Sequence, residues 1–124
     1  MIHRYTRAEA IRDGVLRDVS TWASADQGFI GGFTIPVAVT ASVWRDIADI
    51  PDKELRHQDV RGRAHDVLFM ASMAARRNPK LDRVRFGVIL ARSLSSQSLV
   101  HYQLLVGPGD AGEAVATIMQ ENED

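Results

Sequence analysis

Three apolar, β-prone runs close this 124-residue chain, and they limit its fold more than any other feature. They read VRFGVILARS from Val84, SLVHYQLLVGPGD from Ser98 and EAVATIM up to Met119, with polar or glycine-rich breaks between them. Runs of this length and composition are strands, and breaks this short between them favour hairpins. In the first run Val84, Phe86, Val88 and Leu90 alternate with Arg83, Arg85, Gly87 and Ile89, so the first set is expected to face a core. Val100, Tyr102, Leu104 and Val106 alternate likewise in the second run, and Val115, Thr117 and Met119 in the third. The fold class that follows is α+β: an antiparallel sheet of three or more strands, a C-terminal meander, with helices packed on one face. The pairs Leu104-Leu105 and Ile118-Met119 break the alternation, which implies a sheet covered on both sides or paired with another chain. Ile89, Leu105 and Ile118 fall on the outer face in this reading, so a homodimer through the sheet is one expectation.

The helices that cover the sheet must come from the first two thirds. Thr6-Arg7-Ala8-Glu9 has the form of a capping box and starts a short helix that should stop at Asp13-Gly14. Val15–Val19 is a brief extended piece, and Ser20 caps a second short helix around Thr21 to Gln27 with Trp22 as its anchor. Gly28–Gly32 reads as a loop carrying Phe29 and Ile30. The segment 34–39 is extended, with Pro36 expected to keep it off a central strand position. Thr40 caps a helix from Ala41 to Ile50, whose stripe is Val43, Trp44, Ile47 and Ile50. A helical turn is expected at Lys53–Arg56 and a turn or short hairpin at 58–63. The longest helix then runs from Ala64 to Arg77, with Val67, Leu68, Met70, Ala71, Ala74 and Ala75 on one face, and ends before Pro79. The tail from Gln120 is acidic and expected to fray. One domain, residues 1–124, accounts for the whole pattern.

Composition narrows the function classes. The absence of cysteine removes disulfides, a thiolate nucleophile and Cys-ligated metal sites, and it suits a reducing cytoplasm. No window has the ~18 apolar residues of a membrane span, so a cytoplasmic protein with no membrane partner is expected. The net charge of −1 argues against a dedicated DNA binder. The charge is unevenly spread: residues 53–92 carry 10 basic and 4 acidic side chains, whereas residues 107–124 carry 5 acidic and no basic ones. Arg61, Arg63, Arg76, Arg77, Arg83 and Arg85 are therefore the candidate partner-binding set, able to grip carboxylates or phosphates if the fold unites them. No aromatics interleave with them for base stacking.

Other constellations are weaker. His57, Asp59, His65 and Asp66 match no metal-ligand spacing, and His65 and Asp66 would point about 100° apart on a helix; Asp66 is better read as a partner of Arg63 or as a helix-start carboxylate. Gly107-Pro108-Gly109-Asp110-Ala111-Gly112 is followed by a strand and not by a helix, so it is a β-turn and not a phosphate loop. The serines from Ser93 to Ser98 have only His101 near them in sequence, on the outer face of its strand, and read as a hairpin loop. No catalytic residue, metal site or cofactor is assigned.

Four ordered blocks resemble a known family. They are Tyr5-Thr6-Arg7-Ala8-Glu9-Ala10-Ile11 with Asp13-Gly14-Val15-Leu16 and Asp18-Val19-Ser20; Ile35-Pro36-Val37-Ala38-Val39-Thr40 with Val43-Trp44; Gly62-Arg63, Asp66-Val67-Leu68, Met70 and Arg76-Arg77; and Gly107-Pro108-Gly109-Asp110, Gly112-Glu113, Val115 and Thr117-Ile118-Met119. The family is an uncharacterised bacterial one, domain of unknown function 6573, often carried on plasmids and prophages. The chain departs from it at His65, where the family has an aromatic, and at Ala114, where it has a proline. The resemblance implies a mobile-element accessory protein and no particular chemistry. The function expected is non-catalytic binding of a protein partner, for example inhibition of a bacterial defence system such as CRISPR. Nucleic-acid or nucleoprotein binding through the arginines is the alternative, and a small enzyme of unknown reaction the second alternative.

Overall fold

The computed structural model describes residues 5–23, 32–50, 60–93 and 96–123, and of residues 91–96 no side chain. The Phe29-Ile30 loop, the end of the second expected helix, the Lys53–Arg56 turn, His57 and Asp59 lie outside the described residues. In chain order the elements are α1 (Arg7–Arg12), β1 (Leu16–Asp18), α2 (Ser20–Ala23), β2 (Val37–Thr40), α3 (Ala41–Ala48), α4 (Val60–Arg77), β3 (Arg83–Ser93), β4 (Ser96–Pro108) and β5 (Ala114–Gln120).

The C-terminal meander forms as expected, with β3 antiparallel to β4 and β4 antiparallel to β5. The sheet nevertheless has five strands in the order β1-β2-β5-β4-β3, and β2 lies parallel to β5. The architecture is thus α+β with a mixed sheet and not an antiparallel one. Pro36 does not exile its segment to an edge. It stands one residue before β2, where its missing N–H costs nothing, and its carbonyl accepts from Ala116 N at 2.9 Å. β2 therefore sits between β1 and β5, with Val37, Ala38 and Val39 all buried.

One face of the sheet carries α2, α3 and α4. Val37, Val39, Phe86, Val88, Leu90, Tyr102, Leu104, Ala116 and Ile118 meet Ala23, Val43, Ile47, Ala64, Val67, Leu68 and Ala71 there in a continuous core. Ile118 faces this core fully buried, opposite Leu104, so the expectation that it lies on the outer face is corrected. Two helix expectations also shift. Residues 60–63 form the first turn of α4 and not a hairpin, which leaves Asp66 in the second turn, away from the helix start. Met70 is 39% exposed and stands outside the packed face of α4.

The other face is not bare, and α1 covers part of it. Thr6 and Glu9 close the expected capping box, and Gly14, at φ 79°, follows the helix end in the left-handed region that glycine tolerates. A second anchor was not legible in the local pattern. The 109–112 turn, itself closed by Gly112 N to Gly109 O at 3.0 Å, presents Asp110 to the start of α1. Its carboxylate accepts from Arg7 N at 2.8 Å and Ala8 N at 3.0 Å, two of the amides that have no partner within the helix. The Arg7 guanidinium then reaches Thr117 Oγ1 and Ala116 O, both at 2.7 Å, and ties the helix to β5.

The acidic tail completes this cover, and it does not fray up to Glu123. The Gln103 side chain, 4% exposed, donates to the carbonyls of Gln120, Glu121 and Glu123, the last at 2.7 Å. Glu123 accepts in turn from Thr40 Oγ1 and from Gln120 N, both at 2.7 Å.

The two backbone hydrogen bonds to Asp110 hold its carboxyl below the usual carboxylate range, those from Arg7 first and Ala8 second. A depressed folded value means that the stabilisation is complete above the unfolded value and lost as pH falls through the folded one. Asp110→Asn should therefore lower the melting temperature at neutral pH, and the gap to the parent protein should close on acidification. Thermal melts between neutral pH and the acid limb check this; a gap independent of pH would contradict it.

Candidate functional site

The six candidate arginines do not form one surface. Arg63 is 2% exposed and turns inward from the first turn of α4, donating from Nη1 to the Asp46 carbonyl of α3 at 2.8 Å. As a member of an exposed set it is corrected: it is a core arginine. Arg61, two residues earlier, is exposed but lies a helix length from Arg76, about 22 Å for fifteen residues at 1.5 Å each. Arg83 and Arg85 leave β3 on the face opposite α4. There Arg83 donates to Gln103 Oε1 at 2.7 Å, and Arg85 pairs with Glu121 of the acidic tail. Arg76 and Arg77 remain at the C-terminal end of α4, where positive charge suits the helix dipole.

The position that draws Arg63 inward is a polar knot between α3, α4 and the sheet. Asp46 Oδ2 accepts from the Tyr102 hydroxyl at 2.8 Å and from Gln120 Nε2 at 3.2 Å. Tyr102 and Gln120 are register partners on β4 and β5, so one carboxylate bridges two strands to one helix. Tyr102 is fully buried. A hydroxyl in that setting needs an acceptor, which is a structural reason for the knot.

A concave surface forms elsewhere, at the β1 end of the sheet. Arg17 pairs with Val39 and so shares the helix-bearing face, but β1 is the terminal strand, and among the described residues no strand lies beyond it. The Arg17 guanidinium spreads over the Trp44 ring of α3, 3.9 Å from its centroid. Trp22 of α2 packs at 5.9 Å from Trp44 with the rings tilted by 39°. Ile11, Gly14, Leu16, Arg17, Asp18, Ala41, Trp44 and Arg45 line a cleft of about 610 Å³. A smaller cleft of about 240 Å³ continues past Arg17 and Trp44 to Thr21 and Trp22.

The local sequence explains how these groups are fixed. Thr40 caps α3 and accepts from Val43 N at 3.3 Å, which places Trp44 one position from the buried Val43 and so at the rim. Asp18 accepts from the Ser20 amide at 2.9 Å and hydroxyl at 2.6 Å, starting α2 and swinging Trp22 towards Trp44. Sequence reasoning placed Trp22 as the anchor of its helix and Trp44 in the apolar stripe of the next, but missed that they meet. Arg17 was missed as well, because its contact depends on which strand closes the sheet.

Among the described residues no three His, Asp or Glu side chains gather as metal ligands. His65 and Asp66 do approach, at 3.5 Å, while His65 stacks on Phe69. None of the described helices is long and apolar enough to cross a membrane. The cleft presents flat apolar surface, two cations and one carboxylate.

The whole chain, residues 1–124, matches the model of a family described only as a family of unknown function, DUF6573. The chain belongs to that family. No curated protein and no solved structure matches it. The resemblance seen in the four sequence blocks is thereby a family membership, and within this DUF6573 protein the second block contributes Trp44 and its cap to the cleft.

The knot gives a direct test of its own weight. Tyr102→Phe and Asp46→Ala should each destabilise, the latter by about 1.5–3 kcal/mol for a buried bond to a charged acceptor. In the Asp46→Ala background Tyr102→Phe should cost much less, and urea unfolding of the four proteins measures that coupling.

Proposed function

We propose that this protein works by binding another protein at the β1 end of its sheet, without catalysis. The observation that carries this is the Arg17–Trp44–Trp22 stack on the rim of an open cleft. Tryptophan and arginine dominate the binding energy of protein interfaces because each combines a large desolvated area with a directed polar or cationic contact. Arg17 is held over an aromatic face, so less side-chain entropy remains to be lost on binding. Arg17 and Arg45 outnumber Asp18 in the cleft, which favours a partner segment with acidic side chains.

The partner segment that fits is extended. Val19 N donates to Val37 O and Ala41 N to Val15 O, so alternate residues of β1 bond to β2. Leu16 and Asp18 between them turn their backbone groups to the unpaired side, where an added strand can engage them. The mobile-element setting implied by the family resemblance makes bacterial defence complexes, CRISPR effectors among them, the first partners to test. Nucleic-acid binding through the arginines has less support, since Arg63 is buried and Arg61 lies far from Arg76 and Arg77.

Capture experiments from the native host with Arg17→Glu and Arg45→Glu test the reading, because both side chains are exposed and reversal spares the core. A true partner should bind the parent protein and bind Arg17→Glu about thirtyfold or more weakly, the loss of ~2 kcal/mol expected of a hot spot. Partners retained equally by both variants would refute the cleft. Capture abolished by nuclease, and weakened steeply by salt, would transfer the function to nucleic acid.

A further inference from the structure

The opposite edge of the sheet poses a separate problem, independent of the β1 cleft. Among the described residues β3 is an edge strand of eleven residues with β4 on one side only. Val106 N donates to Asp82 O at 2.8 Å, so the even-numbered residues of β3 are the ones that bond to β4. The N–H and C=O groups of Arg83, Arg85, Gly87 and Ile89 accordingly point off the edge. Long, regular, apolar edges attract another strand, and monomers blunt them with charge, proline or bulges. Here the irregularity is confined to the 91–93 end. The middle is Gly87-Val88-Ile89, without charge or proline.

This middle is also where apolar surface collects. Ile89 and its cross-strand partner Leu99 are 61% and 60% exposed. With Gly87, Val88, Phe69, Met70 and Asp66 they line a groove of about 440 Å³ that follows the edge. Leu99 leans across Gly87, where an added Cβ would stand 3.0 Å from its Cδ1. Gly87 is thus a gap in the outer row of side chains, floored by Leu99.

We propose that this edge pairs with β3 of a second copy, antiparallel and centred on Val88, to join two five-stranded sheets into one. The register follows from the bonding pattern. Free groups on odd-numbered residues require odd residues to face odd residues as hydrogen-bonded pairs. Centring on Val88 sets Gly87 against Ile89 of the second copy and Ile89 against its Gly87. Each isoleucine then enters the gap over the other copy's Gly87 and packs on Leu99, and the two contacts are identical, as a two-fold interface demands. The same register carries Arg83 and Arg85 to opposite ends, beside positions 93 and 91 of the other copy, so no arginine faces an arginine. A register two residues shorter in sum would set Ile89 against Arg85. The contact is edge to edge, and it differs from the face-to-face homodimer expected from the sequence, since α1 and the tail occupy the outer face over β5.

Sedimentation and light scattering over a concentration series, with deuterium exchange, test this. The parent protein should run at twice the 13.7 kDa chain mass. Amide exchange at Gly87 and Ile89 should slow as the protein becomes dimeric, while Val88, already bonded to β4, should change little. Ile89→Lys and Ile89→Pro should both give monomers with unchanged circular dichroism, because the Ile89 N–H points off the edge and proline there spares the β3–β4 ladder. Should either variant fail to fold, Leu99→Lys replaces it. A monomeric parent protein, including one that takes up some other strand, overturns the proposal. So does a dimer that persists in folded variants or leaves the Gly87 and Ile89 amides unprotected.

Discussion

The insertion of β5 between β2 and β4 is the constraint on which the rest of this structure depends. An interior strand with both faces covered has to be apolar on both. Ala116 and Ile118 enter the helix-side core, while Val115 and Met119 are buried on the other side, at 6% and 8% exposure. β2 joins β5 in parallel, and a parallel neighbour requires the chain between the two to cross over the sheet. α3 and α4 lie in that crossover and cover the helix-bearing face.

Covering the second face falls to the two ends of the chain. α1 is too short to be stable alone, and it is held by contacts remote in sequence, through Asp110 at its amides and Arg7 on β5. The tail is held by Gln103, whose side-chain NH2 donates to the Glu123 carbonyl at 2.7 Å and reaches those of Gln120 and Glu121 at 3.3 and 3.4 Å. Backbone carbonyls over a buried strand need donors, and one amide side chain supplies them. The arginines on this side serve the same end, with Arg83 on Gln103 and Arg85 on Glu121. The charge of Arg85 is turned towards the protein's own tail, so the basic middle and acidic end of the sequence partly answer each other.

The two edges of the sheet, on which both proposals rest, differ in kind. At β1 the strand is three residues long and its surroundings are tryptophan, arginine and aspartate. At β3 it is eleven residues long with aliphatic surroundings. A short edge rich in aromatic and charged groups suits a partner recognised by chemistry, and a long plain edge suits a strand recognised by backbone.

Local sequence fixed a good deal of this. The capping box at Thr6, the cap at Thr40, the glycine stop at Gly14, the 109–112 turn and the alternation in β3 were legible because each depends on a few neighbouring residues. The broken alternation around Leu104-Leu105 and Ile118-Met119 pointed to a sheet covered on both sides or paired with another chain, and over β5 both faces are covered, with Val115 and Met119 buried on one and Ala116 and Ile118 on the other. Tertiary structure alone decided the strand order, the inward turn of Arg63, the use of Asp110 as a cap for α1 and the meeting of Arg17, Trp22 and Trp44. Each of these joins residues whose separation carries no periodic signal, and each is settled by which strand lies beside which. Side-chain pattern tells a strand which face to bury, but only the closing of the sheet tells it which neighbour to have.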